Sequence, residues 1–206
     1  MASNELELEA WRNGKLLLGV DESGYGCLAG SMYIAGVIFP KDYDFTKLKG
    51  LNDSKKMTER RRFELETIIQ ADAFWYFVAE ATPAEIDSTN VYYLRFEKAA
   101  EAIEANTNLP QNLDLYVDGN VPIKFTKLQL HCNTLVKGDS FSLSIAAASV
   151  LAKCAKDRQM LSLHDSFPDY GWKINKGYWS VDHVNALKSS GLTVYHRKTY
   201  CRKIFE

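Results

Sequence analysis

The chain has 206 residues, 46% of them hydrophobic and 25% charged, which describes a globular domain and excludes disordered, collagen-like and disulfide-stapled chains. No apolar run approaches the roughly 20 residues of a bilayer span, and the acidic start MASNELELEA has no secretory h-region, so a cytoplasmic protein is expected. The net charge of −1 hides an asymmetry: residues 1–150 carry 15 Lys+Arg against 21 Asp+Glu, whereas residues 151–206 carry 10 against 5.

In chain order, residues 16–20 (LLLGV) read as a buried strand that ends at Asp21 and Glu22. A glycine-rich loop follows, then a second strand over 32–39 (MYIAGVIF) stopped by Pro40. Thr58 is a candidate N-cap for a helix through about residue 70, because its hydroxyl accepts from the free amides of a first turn. Residues 73–81 (AFWYFVAEA) are aromatic and β-branched enough for a third strand. A helical pattern starts near Pro83, with a main helix expected over 91–106. Residues 113–117 (LDLYV) form a short strand running into Asp118-Gly119-Asn120, and alternation over 126–132 predicts a fifth.

The strongest helix runs over about 141–166 and ends at Pro168; Ser180 caps another that Gly191 terminates. This order predicts one α/β domain with a mixed sheet, a core to about residue 164 and a smaller helical lobe from about 165. Cys27, Cys132, Cys154 and Cys201 are scattered, without a Cys-x-x-Cys pair. His131 and Cys132 are adjacent and would face opposite sides of a strand, so neither a zinc site nor a disulfide framework is expected.

The chemistry lies in carboxylates. Asp21 and Glu22 end one strand and Asp118 ends another, each followed by glycine within three residues. Strand ends are where open α/β sheets place ligands, although Asp and Gly are also ordinary turn residues. On the long helix Asp157 shares a stripe with Leu143, Ala146, Val150, Cys154 and Leu161, the face that should pack on the sheet. A buried carboxylate there must be ion-paired, protonated or bound to a metal. Position alone leaves open a pair with Lys153 or Arg158. Converging acids offer hard oxygen donors, which suit Mg²⁺ or Mn²⁺. Two such ions about 4 Å apart can activate water and stabilise the leaving oxygen in phosphodiester cleavage.

Five segments in order carry a resemblance. GVDESGYGCLAG (19–30), LNDSKKMTERRR (51–62), YVDGN (116–120), KGDSFSLSIAAASVLAKCAKDRQM (137–160) and NKGYWSVDHVNAL (175–187) are similar to the motifs of the type 2 ribonucleases H. That family cuts the RNA strand of RNA–DNA hybrids and incises DNA at embedded ribonucleotides, leaving 5′-phosphate and 3′-hydroxyl ends. The resemblance implies a ribonuclease H-like fold with a five-stranded mixed sheet flanked by helices; a monomer is the default expectation. It places Asp21, Glu22, Asp118 and Asp157 at metal-binding positions, for two Mg²⁺ or Mn²⁺ ions. Gly24, Tyr25 and Gly26 fall in the loop that contacts the ribonucleotide 2′-hydroxyl. Tyr178 matches the tyrosine that reads the junction, and Lys55 and Lys56 match phosphate contacts. The run Arg60 to Arg62 is read as a solvated charged face, and HRKTYCRK (196–203) resembles the family's basic tail.

The sequence departs from the family pattern in the loop. Tyr25 replaces the usual arginine, Ser23 an alanine, and Cys27 and Ser31 prolines that would stiffen the backbone. If the loop works through backbone amides, 2′-hydroxyl reading survives; if the arginine's charge holds a phosphate, incision at single ribonucleotides is weakened. Two other readings predict different outcomes: a hybrid-binding protein that has lost turnover, and a DNA-directed nuclease on the same fold.

Overall fold

A computed structural model describes residues 2–51, 54 and 57–206. Five strands, β1 (Leu16–Ser23), β2 (Met32–Ile38), β3 (Trp75–Ala81), β4 (Leu113–Asp118) and β5 (Cys132–Leu135), make one sheet in the order β3-β2-β1-β4-β5. β1 is antiparallel to β2 and β2 to β3, while β4 runs parallel to both β1 and β5. The fold is the expected mixed α/β sheet flanked by helices.

The helices are α1 (Glu5–Arg12), α2 (Glu59–Asp72), α3 (Pro83–Ser88), α4 (Val91–Glu104), α5 (Leu143–Ser166), α6 (Trp172–Asn175), α7 (Val181–Ser190) and α8 (Lys198–Phe205). Among the described residues none is long and apolar enough to cross a membrane. Leu18, Val20, Ile34 and Leu115 pack with Phe96, Ala99 and Ile103 of α4 in one core cluster. Ala35 and Val37 pack with Leu65 and Ile69 of α2 and the alanines of α5 in a second. Alternation along the strands sends neighbouring side chains to the two clusters. Gly19 lets α5 lie against the sheet: a Cβ there would stand 2.3 Å from the Ile145 amide nitrogen.

Local chemistry explains most boundaries. The Thr58 hydroxyl accepts from the Arg61 amide and starts α2, Ser142 caps α5 through Ile145, and Ser180 caps α7 through His183. Helix α1 was not foreseen. Its Glu7, buried, accepts from the Ser142 hydroxyl at 2.5 Å and the Ser144 amide at 2.9 Å. An acid thus sits at the amide end of α5, where the helix dipole favours negative charge.

Two expectations need correction. The fifth strand is Cys132–Leu135, not 126–132. The Glu104 carboxylate takes the Thr126 and Lys127 amides at 2.6 and 2.7 Å, so this backbone is satisfied without a strand partner. Arg62 is not solvated. It is buried, its guanidinium donating to Asp157 at 2.8 Å and to the Met57 carbonyl at 2.6 Å.

Beyond Pro168 the helices close on a third apolar cluster, in which Tyr170, Trp172, Leu187 and Cys201 meet Leu28, Ala29 and Met160. Within it Trp172 Nε1 donates to His183, and the His183 and His196 Nε2 atoms are 3.2 Å apart. Burial lowers the pKa of both imidazoles, to about 4 for His196. An unfolded imidazole takes up a proton below about pH 6.5. The folded protein refuses it, so stability is full above that pH and is lost as pH falls toward the folded value. Thermal melts from pH 7 downward are therefore expected to show a falling melting temperature across this window. A flat profile down to about pH 4.5 would contradict two buried neutral histidines.

Candidate functional site

β1 and β4 are parallel neighbours, so their C-terminal ends open side by side. Asp21 and Glu22 lie at the end of β1 and Asp118 at the end of β4. All three line one cleft of about 250 Å³ with Ser23, Gly24, Tyr25, Gly26, Ser54, Asp139, Ser149 and Tyr178. Asp21 is buried, and its Oδ1 accepts from the Glu22 amide at 2.7 Å. Burial, and then the charges of Glu22 and Asp118, hold its carboxyl well above the ordinary carboxylate range, against a hydrogen bond from Ser149. Ser149, from α5, also lies 2.9 Å from the Ser54 hydroxyl.

Asp118 Oδ1 accepts from the Gly138 amide at 2.7 Å. This bond ties β4 to the 3-10 turn Gly138–Ser140, which puts Asp139 on the cleft wall. The fourth acid of the cleft is therefore Asp139, which the sequence analysis did not single out. Asp157 stands apart from these four. It is fully buried, as its stripe predicted, but does not line the cleft. Its carboxylate is ion-paired to Arg62 from α2 and Lys153 one turn back on α5. Arg158, the other partner considered, pairs with Glu66 at 2.7 Å instead.

The glycine loop is held from behind. Arg197, buried, donates to the carbonyls of Gly24 and Tyr25, both at 2.7 Å, and of Gly30 at 3.0 Å. A trans peptide points its N–H opposite to its C=O, so the Tyr25 and Gly26 amides face away from Arg197. Lys156, fully buried, donates to the Ala29 carbonyl at 2.8 Å, and burial lowers its pKa to about 8. Gly24 is required by the backbone, with φ of +92° and the Ser31 carbonyl 3.0 Å from where a Cβ would be. Gly26 is not so constrained: a Cβ there meets nothing within 4 Å, so its missing side chain keeps the cleft open.

Tyr178 stands over this loop, beside Ser23, Gly24 and Cys27; burial, then Cys27, raises its phenol above the usual range. Tyr25 is 37% exposed. Lys55 and Lys56 lie outside the described residues; Ser54, between them and β1, is on the cleft wall. The four cysteines are buried and free.

The donor set fits a hard divalent cation: four carboxylates and three serine hydroxyls, all oxygen. Among the described residues, however, no three acidic, His or Cys side chains are already gathered as a cage. Glu22 is drawn to Arg95 at 2.7 Å and Asp118 to Gly138. A clustered acid kept from ionising by its neighbours is what a bound cation would relieve.

The profile of the family described as Ribonuclease HII matches residues 18–205. The Ribonuclease HII of Phocaeicola vulgatus is 44% identical over 183 residues, 88% of this chain and 87% of that protein. The crystal structure of the ribonuclease H2 from Pyrococcus horikoshii is similar at a TM-score of 0.77 and 27% identity, covering 92% of this chain and 96% of that one. Bst-RNase HIII in complex with Mn²⁺, at 14% identity, shares the fold with a TM-score of 0.73 over 93% of this chain and 69% of that one.

Proposed function

The chain belongs to the ribonuclease HII family and is an endoribonuclease, and from that premise we propose that it cuts the RNA strand of RNA–DNA hybrids and incises duplex DNA at embedded ribonucleotides, leaving 5′-phosphate and 3′-hydroxyl ends. The observation that carries this reading is the single cleft in which Asp21, Glu22, Asp118 and Asp139 face the glycine loop and Tyr178.

The four carboxylates would hold Mg²⁺ or Mn²⁺, which when bound supplies Lewis-acid polarisation of the scissile phosphate and of a water. Asp157 takes no part as a ligand in this reading; with Arg62 it braces α2 against α5. Arg197 keeps the carbonyls of Gly24 and Tyr25 turned inward, which leaves the loop amides to meet a 2′-hydroxyl. Gly26 admits the sugar, and the Tyr178 ring packs beside the strand. Lys55 and Lys56 bind backbone phosphates, which positions the duplex without reading sequence. The basic C-terminal residues serve the same long-range attraction. The protein works in the cytoplasm as a monomer.

The test is cleavage of three labelled duplexes in Mg²⁺ and then Mn²⁺: a continuous hybrid, DNA carrying one ribonucleotide, and DNA alone. Cutting of the first two and not the third, abolished by EDTA, is the expected result. Cutting of the hybrid alone would remove single-ribonucleotide incision. Cutting of DNA alone would favour a DNA-directed nuclease, and binding without cutting a protein that has lost turnover.

A further inference from the structure

Among the described residues, a cleft acid is paired with a cation from a helix that carries none of the four. Arg95 sits in the first turns of α4, in the run VYYLRF, among aromatic and apolar neighbours. Its guanidinium donates to Glu22 at 2.7 Å, and the two side chains are only 13% and 16% exposed. The same guanidinium lies 4.4 Å from the Phe96 ring centroid, 5.2 Å from that of Tyr92 and 5.4 Å from that of Tyr25. All three fall within the reach of a cation–π contact. Nε is buried and has no hydrogen-bond partner among the described residues. What holds the group is therefore Glu22 on one side and rings on the other. Gly119, beside Asp118, lies next to the group: a Cβ built there would stand 4.0 Å from the guanidinium, an ordinary contact.

Arg95 does not line the cleft, but both Glu22 and Tyr25 do. One planar group thus touches an acid on the metal side and a ring on the substrate side. We propose that Arg95 is a positioning residue that couples the Glu22 carboxylate to the Tyr25 ring, so that the acids and the ribonucleotide-reading loop are set together. The assignment rests on the reading given under Proposed function. An ammonium could keep the charge beside Glu22 but offers no plane for a ring to stack on. The two halves of the coupling are therefore separable by mutation.

The experiment compares the wild-type protein with R95M, R95K, Y25A and the double variant R95M/Y25A, each checked for folding by thermal melting. Binding is measured first, in EDTA, as fluorescence anisotropy of a labelled duplex with one ribonucleotide and of the same duplex in DNA alone. R95M and Y25A are each expected to weaken binding of the ribonucleotide duplex about fivefold, and the double variant no further than the weaker single. In Mg²⁺, R95M is expected to lose about tenfold in kcat, Y25A to act on KM, and R95K to recover kcat while keeping the weakened binding. Losses that multiply in the double variant, or an R95M protein with wild-type binding and kcat, overturn the proposal. The binding arm needs no turnover. A wild-type protein that binds but never cuts would sink the catalytic reading while leaving the coupling measurable.

Discussion

An Asp21→Asn protein is expected to melt higher than the wild type and to cut nothing. Asp21 is buried between Glu22 and Asp118, and each of those charges opposes its own. Asn removes one charge from that cluster and keeps the Oδ1 that accepts from the Glu22 amide, so the repulsion is relieved without an orphaned donor. The activity should fall about a thousandfold, because roughly 4 kcal/mol of lost transition-state stabilisation is three decades of rate. Stability and activity then move in opposite directions, the signature of charge held for function. Divalent metal provides a second reading of the same residue. Mg²⁺ or Mn²⁺ should raise the melting temperature of the wild type by binding the folded state alone, and raise that of Asp21→Asn less. Full-rate cleavage by Asp21→Asn would remove these carboxylates from the chemistry.

What could be read from the sequence, and what could not, divides along a physical line. Asp21, Glu22 and Asp118 were legible because a strand end followed by glycine is a local pattern, and the parallel pairing of β1 with β4 then brings the two ends together. The caps at Thr58 and Ser180 are local too: each is a hydroxyl placed to accept from an amide three residues on. Asp157 shows where local pattern stops. Helical period gave its depth correctly, but depth does not say which way a buried carboxylate is satisfied. Its partner Arg62 is 95 residues away on another helix. Residues 126–132 alternate as a strand would, yet the Glu104 carboxylate takes two of their amides. Arg95 was hidden for the same reason, a lone cation in an aromatic helical run whose meaning depends on Glu22 of a different element. Asp139 carried no local signal of its own; it reaches the cleft because the Gly138 amide binds Asp118.

The pair Arg62–Asp157 carries the largest expected loss of stability. The Arg62 side chain is 9% exposed and that of Asp157 is 0% exposed, with Lys153 on the second carboxylate oxygen. Arg62 also donates to the Ser54 carbonyl at 3.1 Å and the Met57 carbonyl at 2.6 Å. One guanidinium therefore fastens α5, α2 and the residues leading to the cleft. Arg62→Met leaves the fully buried Asp157 short of a partner, and a broken buried pair typically costs about 3–5 kcal/mol. Arg62→Lys should recover little, since an ammonium cannot span three acceptors set by a planar fork. Replacing both partners removes the orphaned carboxylate but leaves Lys153, 13% exposed, without its pair, so Arg62→Met combined with Asp157→Leu should regain part of the loss in a urea unfolding series. Activity of that double variant decides what Asp157 does. If the carboxylate is structural, cleavage per folded molecule should stay within a few-fold of wild type, less whatever the loosened Ser54 segment costs. A double variant that is folded and as inactive as Asp21→Asn would return Asp157 to the metal site and displace Asp139 from it.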